Sequence, residues 1–185
     1  MTELVLTPSQ TSGPLFGFCL LFDGSDRATP AAGSTESTQS TENRQSTESG
    51  VPVSLAGTVV DGTGRPYGLP RGLIEVWHGQ QWARARTDAD GRFRVSLSRP
   101  APGQAPDGQF LAPYFNVAVF GVGLLKQRIT RVYFPDEQAA NDKDAVLRLV
   151  PQEDRGKLIG TLEDDGTLRF QIVLQGAGET PTFEW

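Results

Sequence analysis

The apolar positions of this chain recur mainly at every second residue. The clearest stretch is residues 112–137, APYFNVAVFGVGLLKQRITRVYFPDE. Phe115, Val117 and Val119 alternate with Tyr114, Asn116, Ala118 and Phe120. A period of two predicts a strand. Both of its faces carry large apolar groups, so its place is expected at the centre of a sheet. Gly121 and Gly123 break the pattern where a turn needs glycine's backbone freedom. A second strand is predicted over residues 128–134. Pro135 ends it, because proline brings no ladder donor.

The same reading extends along the chain. Residues 53–60 predict a strand closed by the turn Asp61-Gly62-Thr63-Gly64. Residues 73–77 predict the next, and residues 87–91 a tight turn. Phe93, Val95 and Leu97 point one way, with Arg92, Arg94, Ser96 and Ser98 the other. That is an outer strand with one face in water. Residues 99–111, rich in Pro and Gly, read as a loop. Residues 135–141 hold at most a short helix, and residues 151–155 one helical turn with proline at its start. Residues 158–162 and 168–174 pair through the acidic turn 163–166, with Leu168, Phe170, Ile172 and Leu174 on one face. Short strands separated by turn signals, with no long helix, predict an all-β protein, a two-sheet β-sandwich.

Two segments stand outside this pattern. Residues 1–22 read as an N-terminal arm followed by an apolar segment. Its PSQTSGP stretch is bracketed by Pro and Gly and is expected to be extended. Two prolines stiffen the arm, so less entropy is lost when it docks. The apolar segment reads as buried or as a short strand. Residues 28–50 repeat a Ser-Thr-Glu theme without one large apolar group. Such a segment cannot offset the entropy of ordering and is expected to be a mobile surface loop. The sandwich proper is then residues 51–185 of one domain, 1–185.

Composition narrows the function classes. A chain of 185 residues is long enough to bury a full core. Its 21 Gly and 13 Pro, against one Met and one Cys, fit a turn-rich β protein. The net charge of −5, with no basic stripe, sets nucleic acid aside. No apolar run approaches the roughly 20 residues of a membrane span. No basic stretch followed by an apolar run opens the chain, so no signal peptide is expected. The single Cys19 closes no intrachain disulfide and reads as a packed thiol in a reducing cytoplasm.

Chemistry is scarce. One histidine and one cysteine build neither a zinc site nor a two-histidine, one-carboxylate iron site. His78 follows Trp77 at a strand end and reads as a loop residue. A serine or cysteine triad would need His78 as its base, and nothing places it beside a nucleophile. The pairs Asp88/Asp90 and Asp164/Asp165 sit on glycine-bearing turns, where aspartate bonds local N–H groups. That accounts for them without calcium or acid–base chemistry.

Several stretches in order carry a resemblance: PSQTSGP (8–14), GTVVDGTGRP with LIEVWHG (57–79), RTDADGRFRV (86–95), APYFNVAVF (112–120), TRVYFPDE (130–137) and LQGAGETPTFEW (174–185). Together they resemble the α subunits of the protocatechuate 3,4-dioxygenases, in the intradiol ring-cleaving family. The arm and the QG-GET tail are the specific pieces. The resemblance implies a β-sandwich of the intradiol dioxygenase type. It implies a homologous β subunit that holds a ferric ion through two tyrosines and two histidines. Those histidines form an H-x-H on the strand matching residues 112–120, where this chain has Tyr114 and Asn116. The ligand tyrosines come from the stretch after Trp77 and the loop before Ala112, and neither holds a tyrosine here. No cofactor is therefore expected in this chain, with Fe(III) in the partner.

By the same resemblance, Thr11, Gly13 and Pro14 line the substrate pocket of the β subunit. Glycine lets the backbone approach a planar ring, proline fixes the arm and threonine can donate a hydrogen bond. The family's F-A-R-G arginine is replaced in Phe120-Gly121-Val122-Gly123, so a cation that would steer a carboxylated catechol is missing at Val122. Lys126, Arg128 and Arg131 lie nearby and are expected in solvent or at an interface. The implied function is that of a cytoplasmic, non-catalytic subunit in a larger symmetric hetero-oligomer. That complex would open protocatechuate with O2 to 3-carboxy-cis,cis-muconate. The alternative is a stand-alone binding module of transthyretin-like or carboxypeptidase-regulatory-like type. Such a module needs neither the arm nor the tail.

Overall fold

A computed structural model describes residues 11, 13, 19–28, 50–68 and 72–184. Pro14 and the Ser/Thr/Glu-rich residues 29–49 lie outside them. Two four-stranded sheets carry the fold. One has the order β4-β1-β10-β9 and the other β3-β2-β7-β8. Their strands are β1 (Pro52–Val60), β2 (Gly72–His78), β3 (Gln81–Arg86), β4 (Arg92–Ser98), β7 (Tyr114–Gly121), β8 (Arg128–Tyr133), β9 (Thr161–Leu162) and β10 (Leu168–Val173). A two-residue pair, β5 (Gly103–Gln104) and β6 (Phe110–Leu111), lies inside the expected loop. The pairing of β1 with β10 is parallel. The other pairings between neighbouring strands are antiparallel.

Alternation decides which side chains meet. Phe115, Val117 and Val119 of β7 face inward with Ile74, Val76 and Val132 of the same sheet. Leu55, Val59, Phe93, Val95, Phe170 and Ile172 meet them from the other sheet. Each such burial contributes roughly 1.5–3 kcal/mol. As the pattern predicts, β7 is central, flanked by β2 and β8. The strand β3 is not predicted by the sequence pattern. Its inward residues are Ala83 and Ala85, both buried, which give a weak apolar signal.

The aspartates on turns do what their positions imply. Asp61 Oδ1 accepts from the N–H groups of Thr63 and Arg65. Asp88 Oδ1 accepts from those of Asp90 and Arg92, and Asp165 Oδ1 from that of Thr167. Gly91 has a φ of +72°, and a Cβ there would lie 2.5 Å from the Val59 carbonyl oxygen. Only glycine fits that close approach.

Two short helices, α1 (Gln138–Asn141) and α2 (Gln152–Arg155), belong to the connection between β8 and β9. This connection packs Leu147, Val150 and Leu158 against Ala112 and Tyr133 in a second, smaller core. Among the described residues, no helix is long and apolar enough to cross a membrane.

Two expectations for the N-terminal segment are corrected. Cys19 is exposed, not packed, and Phe22 is exposed, not buried. The segment docks through backbone oxygens, which leaves these side chains outward. Leu20 O accepts from Arg84 Nη1 at 2.7 Å, and Ser25 O accepts from Arg84 N at 2.5 Å. Asp26 O accepts from Ser96 N, and Ala28 N donates to Ser96 O, both at 2.8 Å. Residues 25–28 thus run between the edges of β3 and β4. The edge of β8 is met by Gly160 N, which donates to Tyr133 O at 3.0 Å, and by Phe183 N, which donates to Ile129 O at 2.8 Å.

Candidate functional site

The outward face of β7 carries Tyr114 and Asn116. Strand register sets Asn116 between Trp77 of β2 and Arg131 of β8. Arg131 is only 3% exposed. This corrects the expectation of a solvent or interface role. Its guanidinium carbon lies 4.0 Å from the centre of the Tyr114 ring and 5.8 Å from that of Phe183. A stacked guanidinium keeps favourable electrostatics after it leaves water.

Behind this pair is a hydrogen-bonded chain. Arg131 Nη1 is 3.5 Å from the Tyr133 hydroxyl. That hydroxyl donates to Asp144 Oδ1 at 3.0 Å. Asp144 is fully buried. Its Oδ1 also accepts from Val146 N at 2.9 Å and Leu147 N at 2.7 Å, and its Oδ2 accepts from Ala112 N at 2.8 Å. Burial pushes the Tyr133 phenol above its ordinary range. Tyr133 therefore stays a donor.

His78 ends β2 and is not a loop residue. Its ring stands edge-on to Tyr114, with centres 5.0 Å apart. Burial pushes its imidazole below the ordinary value of 6.5, and the positive charge of Arg131 adds to that. Asn116 Oδ1 is buried with no hydrogen-bond partner among the described residues. These groups do not fit a ferric ion. They offer one phenol, one amide and one imidazole around a buried cation, where iron wants anionic oxygens. Among the described residues, no three of His, Cys, Asp or Glu gather as a metal group.

A second cluster joins the arm to the β7–β8 turn. Leu124 N donates to Gly121 O at 3.1 Å and closes the turn. Gly123, the third residue of this turn, has a φ of +94°, the positive value that a type II turn requires there. Gly123 N donates to Thr11 Oγ1 at 2.7 Å, across 112 residues of sequence. Val122 O accepts from the Tyr67 hydroxyl at 2.6 Å. Val122 is 38% exposed at the crest of the turn, and Thr11 and Gly13 are exposed. Of the predicted pocket residues, the structure brings Thr11 to the turn and says nothing of Pro14. Sequence reasoning missed Tyr67 and Asp144, and it expected Arg131 in solvent or at an interface. Tyr67 was visible only as an aromatic after a turn, and Arg131 only as an arginine on a strand.

No protein-family model matches the chain. Individual relatives do. The protocatechuate 3,4-dioxygenase alpha chain of Burkholderia cepacia is 34% identical over 199 aligned positions, covering 100% of both chains. The chain belongs to this α-chain family. The alpha chain of Pseudomonas putida is 31% identical over 203 positions, covering 97% of this chain and 96% of that one. Among solved structures, catechol 1,2-dioxygenase from Acinetobacter sp. ADP1 superposes with a TM-score of 0.54 at 16% identity. That match covers 76% of this chain and 59% of the other. Its identity is low enough that it speaks for the fold alone, which is that of the intradiol dioxygenases.

Proposed function

We propose that this α-chain family member is a non-catalytic subunit that completes the active-site wall of an iron-bearing β subunit. The observation that carries this reading is full-length kinship with two α chains, arm and tail included. The residue set supports it. The one histidine of the sequence is His78, and the H-x-H positions hold Tyr114 and Asn116 beside a buried guanidinium. A stand-alone binding module would not need the terminal segments that these relatives share.

In the complex, the partner's ferric ion supplies the redox centre at which protocatechuate and O2 react to 3-carboxy-cis,cis-muconate. This chain contributes shape and hydrogen bonding. Thr11 Oγ1 accepts from Gly123 N, which leaves its O–H as a donor toward the pocket. Gly13 admits the planar ring, because a Cβ there would meet nothing among the described residues and only narrow the pocket. Proline at position 14, with its fixed φ, limits the freedom of the arm's sequence. Val122 adds an apolar group where a cation would favour a ring carboxylate. Packing against the β subunit in a symmetric hetero-oligomer excludes water from this wall. A cytoplasmic setting agrees with the one cysteine being a free thiol.

Co-expression with a homologous chain bearing the H-x-H strand and two pocket tyrosines tests the reading. A coloured ferric complex that opens protocatechuate is expected, and this chain alone is expected to be colourless and inert. Iron and turnover in a preparation of this chain alone would overturn it.

A further inference from the structure

We infer that Tyr67 is a positioning residue, which sets the arm through a single peptide plane. The inference rests on the reading that Thr11 lines the partner's pocket. The Val122 carbonyl and the Gly123 N–H belong to one peptide group. In a planar trans peptide these two bonds point in opposite directions. Tyr67 donates to the oxygen at 2.6 Å, and Thr11 accepts from the N–H at 2.7 Å. Tyr67 therefore fixes the carbonyl toward the core and, in the same stroke, aims the N–H at the arm.

Tyr67 is itself held. Its ring packs in the main core. Its N–H donates to Val59 O at 2.8 Å, and its carbonyl accepts from Thr87 Oγ1 at 2.9 Å. The anchor of the plane is thus tied to the sheets, and the other end carries Thr11. A central peptide of a β-turn can otherwise flip, which interchanges type I and type II geometry. A flip would break both hydrogen bonds together. Gly123, at φ +94°, allows the type II form that presents the N–H outward. A hydrogen bond accepted at the oxygen also polarises the peptide and strengthens its N–H as a donor. Tyr67, Gly123 and Thr11 act as one unit, although 112 residues separate the arm from the turn.

Two readouts test this. Amide exchange at Gly123, followed by NMR on the chain, reports the plane. Tyr67→Phe and Thr11→Ala are each expected to speed it by roughly tenfold, while Thr11→Ser keeps it slow. KM for protocatechuate in the co-expressed complex reports the pocket. Both variants are expected to raise KM several-fold with kcat unchanged, and the double variant to raise it no further than Thr11→Ala alone. Gly123→Ala, which disfavours the positive φ without touching the core, should act like Tyr67→Phe. If Tyr67→Phe leaves both the exchange and KM at wild-type values, the inference is overturned. If exchange responds and KM does not, the link to the arm stands and the placement of Thr11 in the pocket fails.

Discussion

The guanidinium of Arg131 lies over the ring of Tyr114, 4.0 Å from its centre, on adjacent strands of one sheet. On the proposed reading, Tyr114 stands where a β subunit would carry the first histidine of its H-x-H, beside this fixed organic cation. The cation is buried and therefore depends on its neighbours to replace water. The Tyr114 face, the Tyr133 hydroxyl and, one step further, the Asp144 carboxylate do so.

Removing that cation should loosen the fold. Arg131→Ala deletes the stack and leaves a cavity between β7, β8 and Phe183. A loss of about 2–3 kcal/mol is expected by urea denaturation. Arg131→Lys keeps the charge but not the planar fork and should fall between. A loss below about 0.5 kcal/mol for Arg131→Ala would show that the stack does not contribute.

Asp144 organises the connection after β8. Its two oxygens accept from Ala112 N, Val146 N, Leu147 N and the Tyr133 hydroxyl. Asp144→Ala strands these donors in a buried site and should cost about 3 kcal/mol or more. Tyr133→Phe removes one donor and should cost about 1 kcal/mol. Thermal or urea unfolding of the two variants gives the ratio. Equal losses would contradict the hydrogen-bond assignment.

His78 gives the fold a pH dependence at mild acidity. Burial lowers its folded value below the ordinary 6.5. The unfolded chain then takes up a proton that the folded chain refuses. More protons on the unfolded state mean that stability falls as pH falls. The decline should begin as pH drops through about 6.5 and continue until the folded imidazole also protonates. His78 is the only histidine, so His78→Gln should flatten stability between pH 7.5 and 5.5. Asp136, whose carboxyl the bonded Arg99 guanidinium holds down, acts in a separate window. Its contribution is present above the ordinary 3.8 and is lost as pH falls through the folded value. An unchanged slope in the His78 variant would refute the assignment.

Val122 bears on substrate choice in the proposed complex. Val122→Arg would return a cation to the turn that carries Thr11. KM for protocatechuate should fall by roughly two- to fivefold, the worth of a partly exposed ion pair. KM for catechol, which lacks the carboxylate, should not move. Equal effects on both would place residue 122 away from the ring substituent.

The fold was largely legible because alternation survives at long strands. The strands β1, β2, β4, β7 and β10 each bury every second residue against the other sheet. The strand β3 escaped because its inward positions are alanines, too small to mark a face. The turn aspartates were legible because their partners lie two to four residues away. Asp144 was not, because one of its donors is 32 residues away. Thr11 was singled out by resemblance, but its partner Gly123 is set by three-dimensional folding alone. Cys19 and Phe22 were misjudged because apolar type was read as burial, whereas this segment is held by its carbonyls.

Residues 25–28 run along the open sides of β3 and β4, while Gly160 and Phe183 cap that of β8. The remaining margin, β9, is two residues long. Among the described residues, a visiting chain therefore finds these margins interrupted by other segments or short. In the proposed complex, recognition would then rest mainly on side chains, where sequence can discriminate a cognate subunit from a stranger.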